Sequence, residues 1–129
     1  MRIMLVDDDS RMRLALSRLL EGAGFGYIEH ASDGQEALER ILSGIVHVDL
    51  IITDCRMPRL NGIAFVTALR GRGDQTPVIM ISGEQEPHLI VKAIKAGVNN
   101  YVPKPIHPET LIEKIWQTMG SRPAVSQSR

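Results

Sequence analysis

Cysteine is almost absent from this chain of 129 residues: Cys55 stands alone, so no internal disulfide can form, and a reducing compartment suits it. Charge of one sign is not in excess either. The 15 basic residues balance 15 acidic ones, which removes any bulk attraction to nucleic acid or an anionic membrane. Long apolar runs are missing: none approaches the roughly 20 residues that span a bilayer. Asp7 also interrupts Met1-Arg2-Ile3-Met4-Leu5-Val6 too early for a signal peptide, so a cytoplasmic protein is expected. The histidines, His30, His47, His88 and His107, are scattered and offer no zinc spacing. Neither a basic stripe nor a second helical domain points to DNA binding. What the chain does have is 43% hydrophobic content, enough for a core without staples, in a length that suits one compact domain.

Apolar runs of strand length alternate with stretches of helical period. The runs are Ile3-Met4-Leu5-Val6, the more polar Tyr27-Ile28-Glu29-His30-Ala31, Leu50-Ile51-Ile52-Thr53, Pro77-Val78-Ile79-Met80-Ile81-Ser82 and Asn100-Tyr101-Val102. The first helix is expected to start with Ser10 as N-cap and to bury Met12, Ala15, Leu16, Leu19, Leu20 and Ala23. Asp33 followed by Glu36 resembles a capping box, ahead of a stripe of Ala37, Leu38, Ile41 and Leu42. Met57 to Gly62 reads as a turn before Ile63, Val66 and Leu69. Pro87 opens a fourth helix with Leu89, Ile90, Ala93 and Ile94 inward, and Pro108 a fifth with Leu111, Ile112, Ile115, Trp116 and Met119 inward. Repeated strand-then-helix units with short connections require right-handed crossovers. The prediction is a doubly wound α/β fold, a five-stranded parallel sheet of order 2-1-3-4-5, with the polar second strand at an edge. The domain is expected over residues 1–120, with 121–129 a disordered tail.

Three remote carboxylates end apolar runs. Asp7 and Asp8 close the first and Asp54 the third, while Lys104, between Pro103 and Pro105, follows the fifth. In such a sheet all four reach the crevice beyond the strands' carboxyl ends, where ligands bind. Each alone has a plainer reading as a turn, cap or loop residue; together, in order, they read as a site. Two carboxylates about 4 Å apart repel by roughly 4 kcal/mol at an effective dielectric of 20, so the acids need a counter-ion or a raised pKa. Mg²⁺, which takes oxygen ligands and keeps several waters, is the economical answer. A carboxylate there can act as a nucleophile toward a phosphoryl group if its oxygens meet positive charge, from Mg²⁺, Lys104 and the Ser82 hydroxyl. Cys55 points away from Asp54 by strand alternation and reads as a small buried residue.

Val6-Asp7-Asp8, Asp54 followed by Met57-Pro58 and Asn61-Gly62, Ser82 ending a strand, and Tyr101-Val102-Pro103-Lys104-Pro105 together resemble the response-regulator receiver domain of two-component signalling, over about residues 1 to 119. The resemblance implies that Asp54 is phosphorylated from a histidine kinase. It implies that Asp7 and Asp8 hold Mg²⁺ with Asp54 and the backbone carbonyl of Arg56, and that Lys104 pairs with the phosphoryl group. Ser82 would bond a phosphoryl oxygen and draw Tyr101 inward as the switch. The reaction implied is aspartyl phosphorylation and self-dephosphorylation, not turnover of a substrate, with the phosphorylated state binding a partner differently.

The chain departs from the family pattern in places. Arg56 and Glu84 stand two residues after Asp54 and Ser82, where an ion pair across the crevice mouth is expected to slow hydrolysis of the acyl phosphate. Ile106 stands where many members carry Phe, and His107 where Ser or Thr caps the last helix. With no output domain after residue 120, action by binding another protein is expected. The segments Gly97 to Tyr101 and Pro108 to Ile115 look most like chemotaxis regulators of the CheY type, which bind the flagellar motor switch. The alternatives are a phosphorelay intermediate that passes its phosphoryl group to a histidine phosphotransfer protein, or a receiver from a DNA-binding regulator. An aspartyl-phosphate phosphohydrolase is less well supported, because such enzymes usually carry a second acid where Arg56 stands.

Overall fold

The computed structural model describes residues 1–83 and 87–120. Glu84 and the tail 121–129 lie outside the described residues, and with them the expected Arg56–Glu84 pair and the expected disorder. Strands β1 (Arg2–Val6), β2 (Tyr27–Ala31), β3 (Leu50–Asp54), β4 (Val78–Ser82) and β5 (Asn100–Pro103) alternate with helices α1 (Ser10–Gly22), α2 (Gly34–Leu42), α3 (Gly62–Gly71), α4 (Pro87–Ala96) and α5 (Pro108–Met119). All pairings are parallel, in the order β2-β1-β3-β4-β5, as the alternation requires. The polar β2 is an edge strand, whereas β1, β3 and β4 are apolar on both faces because helices cover both.

Strand alternation divides the core in two. Ile3, Leu5, Leu50, Ile52, Ile79 and Ile81 pack with Leu16, Leu20, Leu111 and Ile115 of α1 and α5. Met4, Val6, Ile51 and Met80 face the other way, onto Ala37, Phe65, Val66, Leu69 and Ala93 of α2, α3 and α4. Burying side chains such as these contributes roughly 1.5–3 kcal/mol each, which holds the sheet rigid beneath the rim that carries the acids.

Helix ends and faces depart from expectation in detail. The N-cap of α1 is Asp9, not Ser10: its carboxylate accepts from Arg11 N at 2.9 Å and Met12 N at 3.3 Å. Either residue type caps well, and the earlier one lies where the chain leaves β1 in an extended conformation. Asp33 caps α2 by accepting from Glu36 N at 2.8 Å, but the Glu36 carboxylate returns to Ser32, not to Asp33. Ala15, Ala23, Leu42 and Ile94 are exposed, and Ser17 is buried on α1. In α4 the inward stripe is Leu89, Ala93 and Ala96, so Ile94, one position further round the helix, is 62% exposed. Among the described residues no helix is long and apolar enough to cross a membrane.

Candidate functional site

The registers align the acid-bearing strand ends. Val6 pairs with Thr53 across β1 and β3, so the next residue of each, Asp7 and Asp54, emerges at the same rim. Asp8 joins them, and one carboxylate oxygen from each of Asp7, Asp8 and Asp54 lies within 4.8 Å of the others. Asp7 is buried, Asp54 half-buried and Asp8 exposed, so the cluster opens to solvent on one side. Ser82, fully buried, ends β4 on the same rim, and its carbonyl accepts from Lys104 N at 2.9 Å. That bond aims Lys104 back over the crevice, where Nζ lies 3.3 Å from Asp54 Oδ1. The Lys104–Pro105 peptide bond is cis.

Asp54 Oδ1 also accepts from Cys55 N at 2.9 Å, and Thr53 Oγ1 donates to the Asp54 carbonyl at 2.9 Å. Cys55 N and Lys104 Nζ thus both meet Oδ1, and Oδ2 accepts no hydrogen bond among the described residues. Burial pushes the Asp7 carboxyl from 3.8 up to about 6, against the backbone hydrogen bond from Asp9, with the Asp54 charge adding to the rise. Burial raises Asp54 as well, while Lys104 opposes the rise. Lys104 alone therefore leaves the acids short of positive charge. An all-oxygen donor set with a solvent-facing side and unmet negative charge fits a hard divalent cation, with Asp7, Asp8 and Asp54 as its protein ligands.

The structure brings together Asp7, Asp8, Asp54, Lys104 and the Ser82 end of β4. It does not bring the Arg56 side chain into the cluster: that group is exposed and borders a separate cavity with Met57, Asn61, Leu89 and Lys92. Tyr101 sits half-buried on β5, opposite Met80, along a cleft of about 160 Å³ formed with Ile90, Ala93 and Ile94 of α4. Cys55 is buried in the core, as alternation required.

Several supporting residues escaped the sequence reading. Gly62, read there only as part of a turn, passes so close to β3 that a Cβ would lie 2.3 Å from the Asp54 carbonyl, and its N–H donates to Cys55 O at 2.9 Å. Arg13 donates from Nη1 to the Asp7 carbonyl and so anchors α1 to the acidic turn. Arg59, in the left-handed region at φ 66°, places Nε 3.2 Å from Asp33 Oδ2. None of these carried a signal beyond residue type, since each depends on a distant backbone atom or cap.

The chain is similar to known proteins in sequence and in fold. The family described as the response regulator receiver domain matches residues 3–116. The chemotaxis protein CheY of Pseudomonas aeruginosa is 40% identical over 117 residues, covering 89% of this chain and 93% of that protein. Chemotaxis protein CheY1 of Helicobacter pylori is 37% identical over 123 residues, covering 94% of this chain and 98% of that protein. Among solved structures, chemotaxis protein CheY4 of Vibrio cholerae superposes with a TM-score of 0.82 at 32% identity, over 91% of this chain and 97% of that one.

Proposed function

We propose that this chain, which belongs to the response regulator receiver domain family, accepts a phosphoryl group on Asp54 from a histidine kinase in a Mg²⁺-dependent reaction and thereby switches its binding of a protein partner in chemotaxis. The observation that carries the reading is the approach of Lys104 Nζ to Asp54 Oδ1 at 3.3 Å beside three convergent carboxylates. A lone structural ion pair would not need two further acids, one of them buried at a cost.

Oδ2 of Asp54 is the nucleophilic oxygen, because Oδ1 is committed to Cys55 N–H and Lys104. It attacks phosphorus in line, the bond from phosphorus to the donor nitrogen of the kinase histidine breaks, and the pair of electrons leaves on the imidazole. Bound Mg²⁺ supplies charge neutralisation for the phosphoryl oxygens. Lys104 supplies a second, fixed cation, and the Ser82 hydroxyl a donor, at the oxygens where negative charge gathers. Asp7, Asp8, Asp54 and the Arg56 carbonyl would hold the ion. Water later attacks the acyl phosphate and restores the carboxylate, so the protein catalyses its own labelling and release and turns over no separate substrate.

The Ser82 hydroxyl bonds a phosphoryl oxygen and draws Tyr101, which lines the α4 cleft, inward. Val91 and Ile94 stand exposed on the helix over that cleft, at 48% and 62%, and are the apolar anchors a partner would cover. The chemotaxis names of the relatives favour the flagellar motor switch as that partner, in the cytoplasm. Incubation with Mg²⁺ and acetyl phosphate, followed by mass spectrometry of the peptide around residue 54, tests the reading. A single phosphoryl adduct on Asp54 that EDTA prevents supports it; an unlabelled Asp54 in folded, Mg²⁺-loaded protein overturns it.

A further inference from the structure

Away from the acidic crevice, positive charge collects along one groove. α3 and α4 pack side by side, and the depression between them has a part of about 420 Å³ near the crevice and one of about 580 Å³ toward the far helix ends. Ile63 and Lys92 border both, so the two parts form one continuous channel. Met57, Ile63, Ala64 and Leu89 give it an apolar lining. Arg56, Arg70, Lys92 and Lys95 also line it, and none of the described lining residues is acidic.

This segregation stands out in a chain whose charges balance. Lys92 and Lys95, exposed and one helical turn apart, make no ion pair among the described residues. Arg70 is held by neutral acceptors, with Nη2 2.9 Å from Gly97 O and 3.0 Å from Asn99 Oδ1, and Nη1 2.9 Å from Asp74 O. Its guanidinium is thus fixed in place by neutral oxygens, while the Asp74 charge acts on it from beyond ion-pair distance.

We propose that the α3–α4 groove docks an amphipathic helix of a partner protein, with an apolar stripe facing Ile63, Ala64 and Leu89 and flanking Asp or Glu residues facing Lys92, Lys95 and Arg70. A cleft between two helices accepts a third by seating its side-chain ridge. The cationic border selects acidic flanks and rejects basic ones. Single-stranded nucleic acid is the poorer match, since no aromatic side chain among the described lining residues offers a stacking platform. The groove shares α4 with the cleft beside Tyr101 but none of that cleft's lining residues, so the docking does not rest on the phosphorylation reading.

The test uses the full chain and a labelled helical peptide of about 16 residues, long enough to hold helix. It carries leucines at three- and four-residue spacing and glutamates beside them. Fluorescence anisotropy is expected to show saturable binding that weakens with salt, and amide cross-peaks of Ile63, Ala64 and Lys92 are expected to shift on titration. The double substitution Lys92→Glu with Lys95→Glu is expected to weaken binding about tenfold or more, with the far-ultraviolet circular dichroism and Asp54 labelling unchanged. A peptide with lysines in place of the glutamates is expected to prefer the charge-reversed protein. The proposal is overturned by absent binding, by equal binding to the double variant, by shifts confined to the Tyr101 cleft, or by an oligonucleotide moving the groove resonances when the peptide does not.

Discussion

Arg59 and Asp33 join two loops on the rim of the sheet: Arg59 Nε sits 3.2 Å from Asp33 Oδ2, tying the segment after Asp54 to the N-cap of α2. The backbone repeats the tie, for Gly34 N donates to Leu60 O at 3.2 Å.

The two ties differ in what they contribute, and substitution separates them. Arg59→Gly loses an ion pair whose arginine is 58% exposed, worth about 0–1 kcal/mol, but relieves a left-handed backbone costing about 1–2 kcal/mol. Its stability in urea is expected within about 1 kcal/mol of the parent. Gly34→Ala, whose Cβ would meet Leu60 O at 2.5 Å, and Gly62→Ala, at 2.3 Å from Asp54 O, are each expected to cost about 2 kcal/mol or more.

Asp7 imposes a pH-dependent cost on the metal-free protein. Its carboxyl is pushed from 3.8 to about 6 by burial, so above about pH 6 the folded state carries a charge it disfavours. As pH falls from 6 toward 3.8 the folded protein takes the proton first and the cost disappears. In EDTA, Asp7→Asn, which keeps the oxygen that accepts from Asp9 N, is expected to be more stable than the parent by on the order of 1–3 kcal/mol at pH 7.5 and equal at pH 3.5. Added Mg²⁺ reverses the order at pH 7.5 by stabilising the parent alone. Urea titrations at the two pH values check this.

Lys104 is assigned to the phosphoryl transition state and not to the metal. Lys104→Ala is expected to slow Asp54 labelling by acetyl phosphate about 10²-fold or more while Mg²⁺ affinity holds or rises, because a competing cation has gone. A labelling rate within about twofold of the parent contradicts the assignment. Asp54→Asn abolishes the label.

Arg56 is exposed on the loop that follows the acceptor. Although its side chain borders the α3–α4 cavity, it is expected to hinder the in-line approach of water once an acyl phosphate extends toward the crevice mouth, so Arg56→Ala is expected to lose its phosphoryl group several-fold faster than the parent. Equal decay of the two phosphorylated proteins, followed by intact mass, removes the role.

The order of elements and the four rim residues were legible because they follow from short-range rules. Unbroken apolar runs mark strands covered on both faces, and an acid or a proline-bounded lysine after such a run has only the strand ends to occupy. The capping residue of α1 was not legible, since Asp9 and Ser10 compete and only the exit direction of β1 decides. Ile94 looked as inward as Leu89 because spacing defines a stripe but not its rotation about the helix axis. Gly62 and Arg59 were missed for one reason: what matters is a backbone atom brought near from another segment, the Asp54 carbonyl in one case and the α2 cap in the other.

With β2 at the outside of the sheet, β1 meets β3 directly, and the partner of Ile3 is Leu50. Asp7 and Asp54 are therefore strangers until that non-local pairing closes, and Lys104 arrives only with the last strand. A chain emerging from the ribosome, or one caught half-unfolded, carries the same side chains yet has no receptive pocket. The acidic rim is thus a proofread property, complete only in molecules that have finished folding.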